Sequence, residues 1–167
     1  MVYTNISKKA FGIFPLVILG VRGGSLVAVT LIGRFLSSPE AGAAPKVLVI
    51  VPAALQGGWK AEFDKWAGGR YHVTILGFSQ KMRKAADLEE FCSDVHPRVL
   101  VCSFEMCRQW LTRLQQCGVG MLVVDEAHRV KNWKTGTYKD IQTLCKRRLL
   151  LTGTPLQNDI GQRFHAW

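Results

Sequence analysis

A chain of 167 residues with 48% hydrophobic content suits one globular domain with a real core. Twenty-two Lys and Arg against 12 Asp and Glu, a formal charge of +10, favour a polyanionic partner. Five cysteines, Cys92, Cys102, Cys107, Cys117 and Cys145, lack any Cys-x-x-Cys spacing, which argues against zinc and a disulfide framework and for reduced thiols inside a cell.

In chain order, Lys8 and Lys9 precede an apolar run from Ala10 to Val21 that has the outline of a signal peptide. The run is too short to span a bilayer and ends at Arg22, so a buried strand at Phe14–Leu19 is the expectation. A helical pattern follows at Leu26–Leu36, then a loop at Ser37–Pro45 rich in Ser, Ala, Gly and Pro. Further strands are expected at Lys46–Val51, Tyr71–Leu76, Arg98–Cys102, Met121–Val124 and Arg148–Leu151. Helices are expected between them, at Leu55–Trp66, Gln80–Phe91, Phe104–Gln115 and Gly136–Cys145. Continuous Val, Leu and Ile runs mark strands buried on both faces. The fold class is therefore α/β, a parallel sheet with helices on each side.

The strand at Met121–Val124 delivers two adjacent carboxylates, Asp125 and Glu126, to its C-terminal end, where open α/β sheets place nucleotide chemistry. Asp125 suits a Mg²⁺ held through its water shell, and Glu126 suits orienting or deprotonating a water. A strand ending in a solvated acidic turn explains those residues almost as well. A second pattern, Arg148 to Asp159, tips the balance, since another strand breaks into the small hydroxyl-rich loop Thr152-Gly153-Thr154-Pro155.

Asp125-Glu126-Ala127-His128, a DEAH box, together with Thr152 to Asp159, resembles motifs II and III of the Swi/Snf-type DNA-dependent ATPases of helicase superfamily two. Lys46 to Trp66 resembles motif Ia and its following helix. Trp66-Ala67-Gly68-Gly69-Arg70 and Cys102-Ser103-Phe104-Glu105 look like the recombinational-repair translocase branch. The resemblance covers about Val47 to Trp167.

The resemblance implies a RecA-like lobe of the phosphate-loop NTPase class, ATP and Mg²⁺ as ligands, and double-stranded DNA as partner. It implies catalytic roles for Asp125, Glu126 and His128, with His128 coupling nucleotide state to Thr152, Gly153 and Thr154. It implies DNA contacts at Pro52 and Ala53, at Ser103 beside Glu105, and at Lys131 and Asn132. At Ala53, where the family carries a hydroxyl, only the backbone amide would serve, and a helix N-cap explains Ser103 equally well. Aligning the helix at Leu26 puts Gly23 and Gly24 in the phosphate loop, with Gly24 where the family has its lysine. Ser25 then falls where a hydroxyl meets Mg²⁺.

On this reading residues 1–167 are a partial N-terminal ATP-binding lobe. Residues 1–40 hold a degenerate phosphate loop, the second lobe lies outside, and Trp167 falls within a helix. The implied function is an ATP-dependent translocase on double-stranded DNA in repair or chromatin remodelling, nuclear, with chromatin or recombination proteins as partners and no membrane. Two alternatives stand beside it: a non-catalytic remnant or adaptor that has lost ATP binding, and an unrelated basic α/β nucleic-acid-binding module. Trp59 and Trp66, seven apart on one helix, read as core or interdomain packing. Of three basic groups, Arg129, Lys131, Lys134 and Lys139 are the strongest candidates for DNA. Lys81, Arg83 and Lys84, and Lys146 to Arg148, read as solvated faces.

Overall fold

The computed structural model describes residues 16–19, 24–76, 81–126 and 141–152. Six strands form one sheet: β1 (Leu16–Leu19), β2 (Lys46–Ile50), β3 (His72–Ile75), β4 (Arg98–Cys102), β5 (Met121–Val124) and β6 (Arg148–Thr152). Their order is β1-β6-β5-β2-β4-β3, and every neighbouring pair is parallel. Among the described residues lie the helices α1 (Gly24–Leu36), α2 (Gln56–Ala67), α3 (Lys81–Ser93), α4 (Phe104–Gln109) and α5 (Leu111–Gln116), and residues 141–143 are also helical, within the helix expected over Gly136–Cys145.

The apolar runs are explained by two cores, one on each face. Successive side chains of a strand point to opposite sides. Val47, Val49 and Val51, Val99 and Val101, Val123, and Leu149 and Leu151 therefore pack with Ile32, Phe35, Trp59 and Phe63 of α1 and α2. Leu48 and Ile50, Leu100 and Cys102, Leu122 and Val124, and Leu150 pack on the other face with Leu88, Phe91, Cys107 and Leu114. All five residues of β2 and of β4 are buried, as strands covered by helices on both sides must be.

Local chemistry sets the helix boundaries. Gly68, at φ 57° and ψ 37°, supplies the left-handed residue that ends α2. Ser103 caps α4, its hydroxyl accepting from the Met106 amide at 3.2 Å. The helix expected over Phe104–Gln115 is instead two, because Trp110 leaves helical geometry at φ −110° and ψ 15°. Within the expected Ser37–Pro45 loop, Pro39–Ala41 forms one 3-10 turn. The N-terminal apolar run supplies β1, paired with β6, and no helix among the described residues is long and apolar enough to cross a membrane.

The cysteines depart from expectation. Cys92, near the end of α3, is joined to Cys117, at the end of α5, with Cα atoms 4.6 Å apart. Two helices packed on one face bring together residues 25 apart in sequence, a pairing that no local spacing announces. Cys102, Cys107 and Cys145 are free thiols. Burial and a neighbouring Cys107 push the Cys102 thiol well up, with the Cys107 contact the larger cause.

Candidate functional site

Register brings the candidate residues to one end of the sheet. Ile50 stands opposite Val124 on one side and Cys102 on the other, so Val51, Asp125 and Ser103 each lie one residue past the same rung. Backbone pairing continues there: the Asp125 amide donates to the Ile50 carbonyl at 2.8 Å, and the Val51 amide to the Cys102 carbonyl at 3.0 Å. Thr152 ends β6 at the same edge, opposite Leu19 of β1. Pro52–Ala53, Ser103 and the Asp125–Glu126 pair thus emerge from three adjacent strands, β2, β4 and β5, at their carboxyl ends, the ligand-binding side of an open α/β sheet.

The Asp125 carboxylate is held from two directions. Its Oδ1 accepts from the Glu126 amide at 2.8 Å, and its Oδ2 accepts from the Trp59 indole Nε1 at 2.8 Å. A carboxylate oxygen has two lone pairs and can accept from more than one donor. This donor set fits Mg²⁺, a hard ion that keeps its waters and takes one or two carboxylates. Glu126 sits at φ 50°, the positive-φ residue other than glycine among the described residues. A β-carbon is strained in that region, so the backbone turns sharply at the residue expected to handle water.

On the phosphate side, Gly24 and Ser25 begin α1, half-buried, with thirteen residues of helix behind them. The amides of a first helical turn favour an anion, and the Ser25 hydroxyl suits a cation's water shell. Position 24, where the resemblance would place a lysine, is glycine, so amides there would act without an ammonium group. A Cβ built on Gly24 meets nothing within 4 Å, so crowding is not the reason.

Pro52 is buried and ends the β2 segment, while Ala53 is exposed and opens a 3-10 turn, Ala53–Leu55, that runs into α2. Ser103 is only 5% exposed and its hydroxyl is spent on capping. Beside it the Glu105 carboxyl is lowered, first by its own backbone amide and then by the Ser103 side chain. Gly23, His128, Arg129, Lys131, Asn132, Gly153 and Thr154 lie outside the described residues. Of the third basic group, Arg147 stacks 5.5 Å from the Phe35 ring, and Arg148 donates to the Cys145 and Gln142 carbonyls at 2.8 and 2.9 Å. Both have structural work.

The sequence reads Trp59 and Trp66 as core or interdomain packing; Trp59 is in the core, 3% exposed and against Phe63, whereas Trp66 is 47% exposed. That reading missed the reach of the Trp59 indole N–H to Asp125, 66 residues away. The available signal was a tryptophan, a residue with an apolar body and one donor, facing the sheet just past motif Ia.

The sequence pattern of the SNF2-related domain matches residues 22–165. The chain belongs to the SNF2-related domain family. Among SNF2-family relatives, it is 38% identical over 124 residues to the DNA repair and recombination protein RAD54-like of Drosophila grimshawi, covering 71% of this chain and 16% of that protein. To RAD54B of Gallus gallus it is 34% identical over 148 residues, covering 86% of this chain and 16% of the relative. Human RAD54B is 35% identical over 120 residues, 71% of this chain and 13% of its own. The chain thus spans 13–16% of the length of these relatives. Among solved structures, the Sulfolobus solfataricus SWI2/SNF2 ATPase core in complex with dsDNA superposes with a TM-score of 0.65 at 24% identity. That match covers 88% of this chain and 29% of the other, and establishes the RecA-like fold of the SNF2 lobe.

Proposed function

We propose that this chain is the first ATPase lobe of a double-stranded DNA translocase acting in recombinational repair, with the nucleus as its compartment. One observation carries the reading: Asp125 and Glu126 leave β5 beside Pro52–Ala53 and Ser103, all at one sheet edge. Carboxylates for phosphoanhydride hydrolysis and backbone for DNA contact thus share one rigid rim. The names of the relatives, DNA repair and recombination proteins, support the repair assignment.

ATP is the substrate in this reading. Mg²⁺, when bound, neutralises developing phosphate charge. Asp125 would hold the cation's water shell, with Ser25 as a second oxygen donor. Glu126 orients and deprotonates the attacking water. His128 passes the state of that site to Thr152, Gly153 and Thr154. Ala53 through its amide, Lys131 and Asn132 contact the DNA backbone, with buried Ser103 shaping the same rim by capping α4, and these contacts position without reading sequence.

A triplex-displacement assay on the full-length protein tests the translocase. The third strand is released when MgATP is added, and the Glu126→Gln variant releases none. A wild-type protein that hydrolyses ATP on duplex DNA yet never displaces the strand contradicts translocation.

Gly24 favours a second reading, a non-catalytic adaptor that keeps the lobe's surface. Without the ammonium group, phosphate binding rests on helix amides alone. Titration with a fluorescent ATP analogue separates the two, since the adaptor gives no saturable Mg²⁺-dependent binding.

A further inference from the structure

Asp125 is the residue on which the proposed chemistry turns, and Trp59 is the side chain that crosses from another element to hold it. The indole is 97% covered and lies against Phe63 in the core cluster on this face of the sheet, so its ring has little freedom to reorient. Its Nε1 donates to Asp125 Oδ2 at 2.8 Å, and the Glu126 amide fixes Oδ1 at 2.8 Å. A buried ring with a fixed plane and a single donor sets a carboxylate's orientation more firmly than a long side chain can. Trp59 also stands on the first turn of α2, directly after the exposed Ala53–Leu55 turn. The rim segment expected to meet DNA and the donor that orients Asp125 therefore belong to one continuous helical stretch, Ala53–Ala67.

We infer that Trp59 is a positioning residue: its indole N–H sets the Asp125 carboxylate for a divalent cation and ties the Pro52–Ala53 rim to the acidic site. Outer hydrogen bonds of this kind typically change metal affinity by about 10–100-fold when removed. The inference rests on the assignment of Asp125 to a metal-bound ATPase centre, and the test keeps the two apart.

The experiment uses full-length protein labelled with 5-fluorotryptophan, the Trp59 resonance being identified by its loss in Trp59→Phe. Asp125→Asn should move that resonance, because the donor's partner changes, and leave the Trp66 resonance in place. Mn²⁺, added alone as a paramagnetic probe, should broaden the Trp59 line in the wild type and not in Asp125→Asn. Trp59→Phe should need about tenfold more Mn²⁺ for half-maximal enhancement of water-proton relaxation, at an unchanged maximum. A Trp59 resonance indifferent to Asp125→Asn overturns the inference, as does an unchanged Mn²⁺ affinity in a folded Trp59→Phe protein. Should Mn²⁺ fail to bind the wild type at all while Asp125→Asn still moves the line, the ATPase centre fails and the orienting contact survives.

Discussion

The backbone amide of Asp125 donates to the carbonyl of Ile50 at 2.8 Å, so the first residue beyond β5 is still part of the β2 ladder. The acidic site is therefore not carried on a loose loop. Its position is fixed by the same rungs that align Val124 with Ile50 and Ile50 with Cys102. Rigid placement of charged groups is what lets a site stabilise a transition state without reorganising.

Immediately after that anchored residue, Glu126 adopts φ 50°, a conformation that costs a side-chain-bearing residue about 1–2 kcal/mol. Glu126→Gly and Glu126→Ala both remove the carboxylate, and the glycine alone relieves the backbone. The glycine variant should melt higher than the alanine variant by about 2–4 °C, the shift that about 1 kcal/mol makes in a domain of this size. Paired calorimetric scans check this, and equal melting temperatures contradict the strain.

At Gly24 the space for a side chain is open, with nothing within 4 Å of a built Cβ. Gly24→Lys, whose Cβ meets no neighbour, should place an ammonium group on the phosphates. A hydrogen bond to a charged group contributes about 1.5–3 kcal/mol, so affinity for a fluorescent ATP analogue should rise at least about tenfold. An equilibrium titration with Mg²⁺ present reads the change.

Gly120 has no such room. A Cβ there lies 2.9 Å from Phe35 Cζ and 3.7 Å from the Lys46 carbonyl oxygen. Gly120→Ala should destabilise by about 1–3 kcal/mol through overpacking, seen as a lower urea midpoint. Adding Phe35→Leu should recover part of the loss, and strict additivity of the two effects would contradict a direct clash.

Acid sensitivity should concentrate at Asp94. Its carboxylate accepts from the His96 amide and the His96 ring at 2.8 Å and from the Arg98 guanidinium. These contacts, the His96 amide foremost, hold its carboxyl well below the ordinary 3.8. A carboxyl depressed in the folded state adds stability above its unfolded pKa and loses it as pH falls through the folded value. The wild type should therefore melt above Asp94→Asn at neutral pH, with the gap closing progressively below about pH 4. Melting curves from pH 7 to 2 measure it; a gap that widens in acid would contradict the assignment.

Most strands were readable in the sequence because each carries a run of apolar residues bounded by turn residues, as in Lys46–Ile50 and Arg98–Cys102, while β3, His-Val-Thr-Ile at the sheet's edge, alternates polar and apolar residues. Asp125 and Glu126 were readable because strand and carboxylates are contiguous. What escaped was set by packing between distant segments. The Trp59–Asp125 bond spans 66 residues and Cys92–Cys117 spans 25. The break at Trp110 is invisible to periodicity, since Leu111 and Leu114 keep helical spacing with the residues before it. Ser103 shows the opposite case, where a capping signature announced the contact that its hydroxyl makes.

The most direct measurement is ATP hydrolysis by the full-length protein, with and without double-stranded DNA, for the wild type and Glu126→Gln. The account predicts Mg²⁺-dependent hydrolysis that duplex DNA stimulates and that Glu126→Gln abolishes, with nucleotide binding retained. Absence of hydrolysis in the wild type, or activity undiminished in Glu126→Gln, would contradict a catalytic centre at the end of β5.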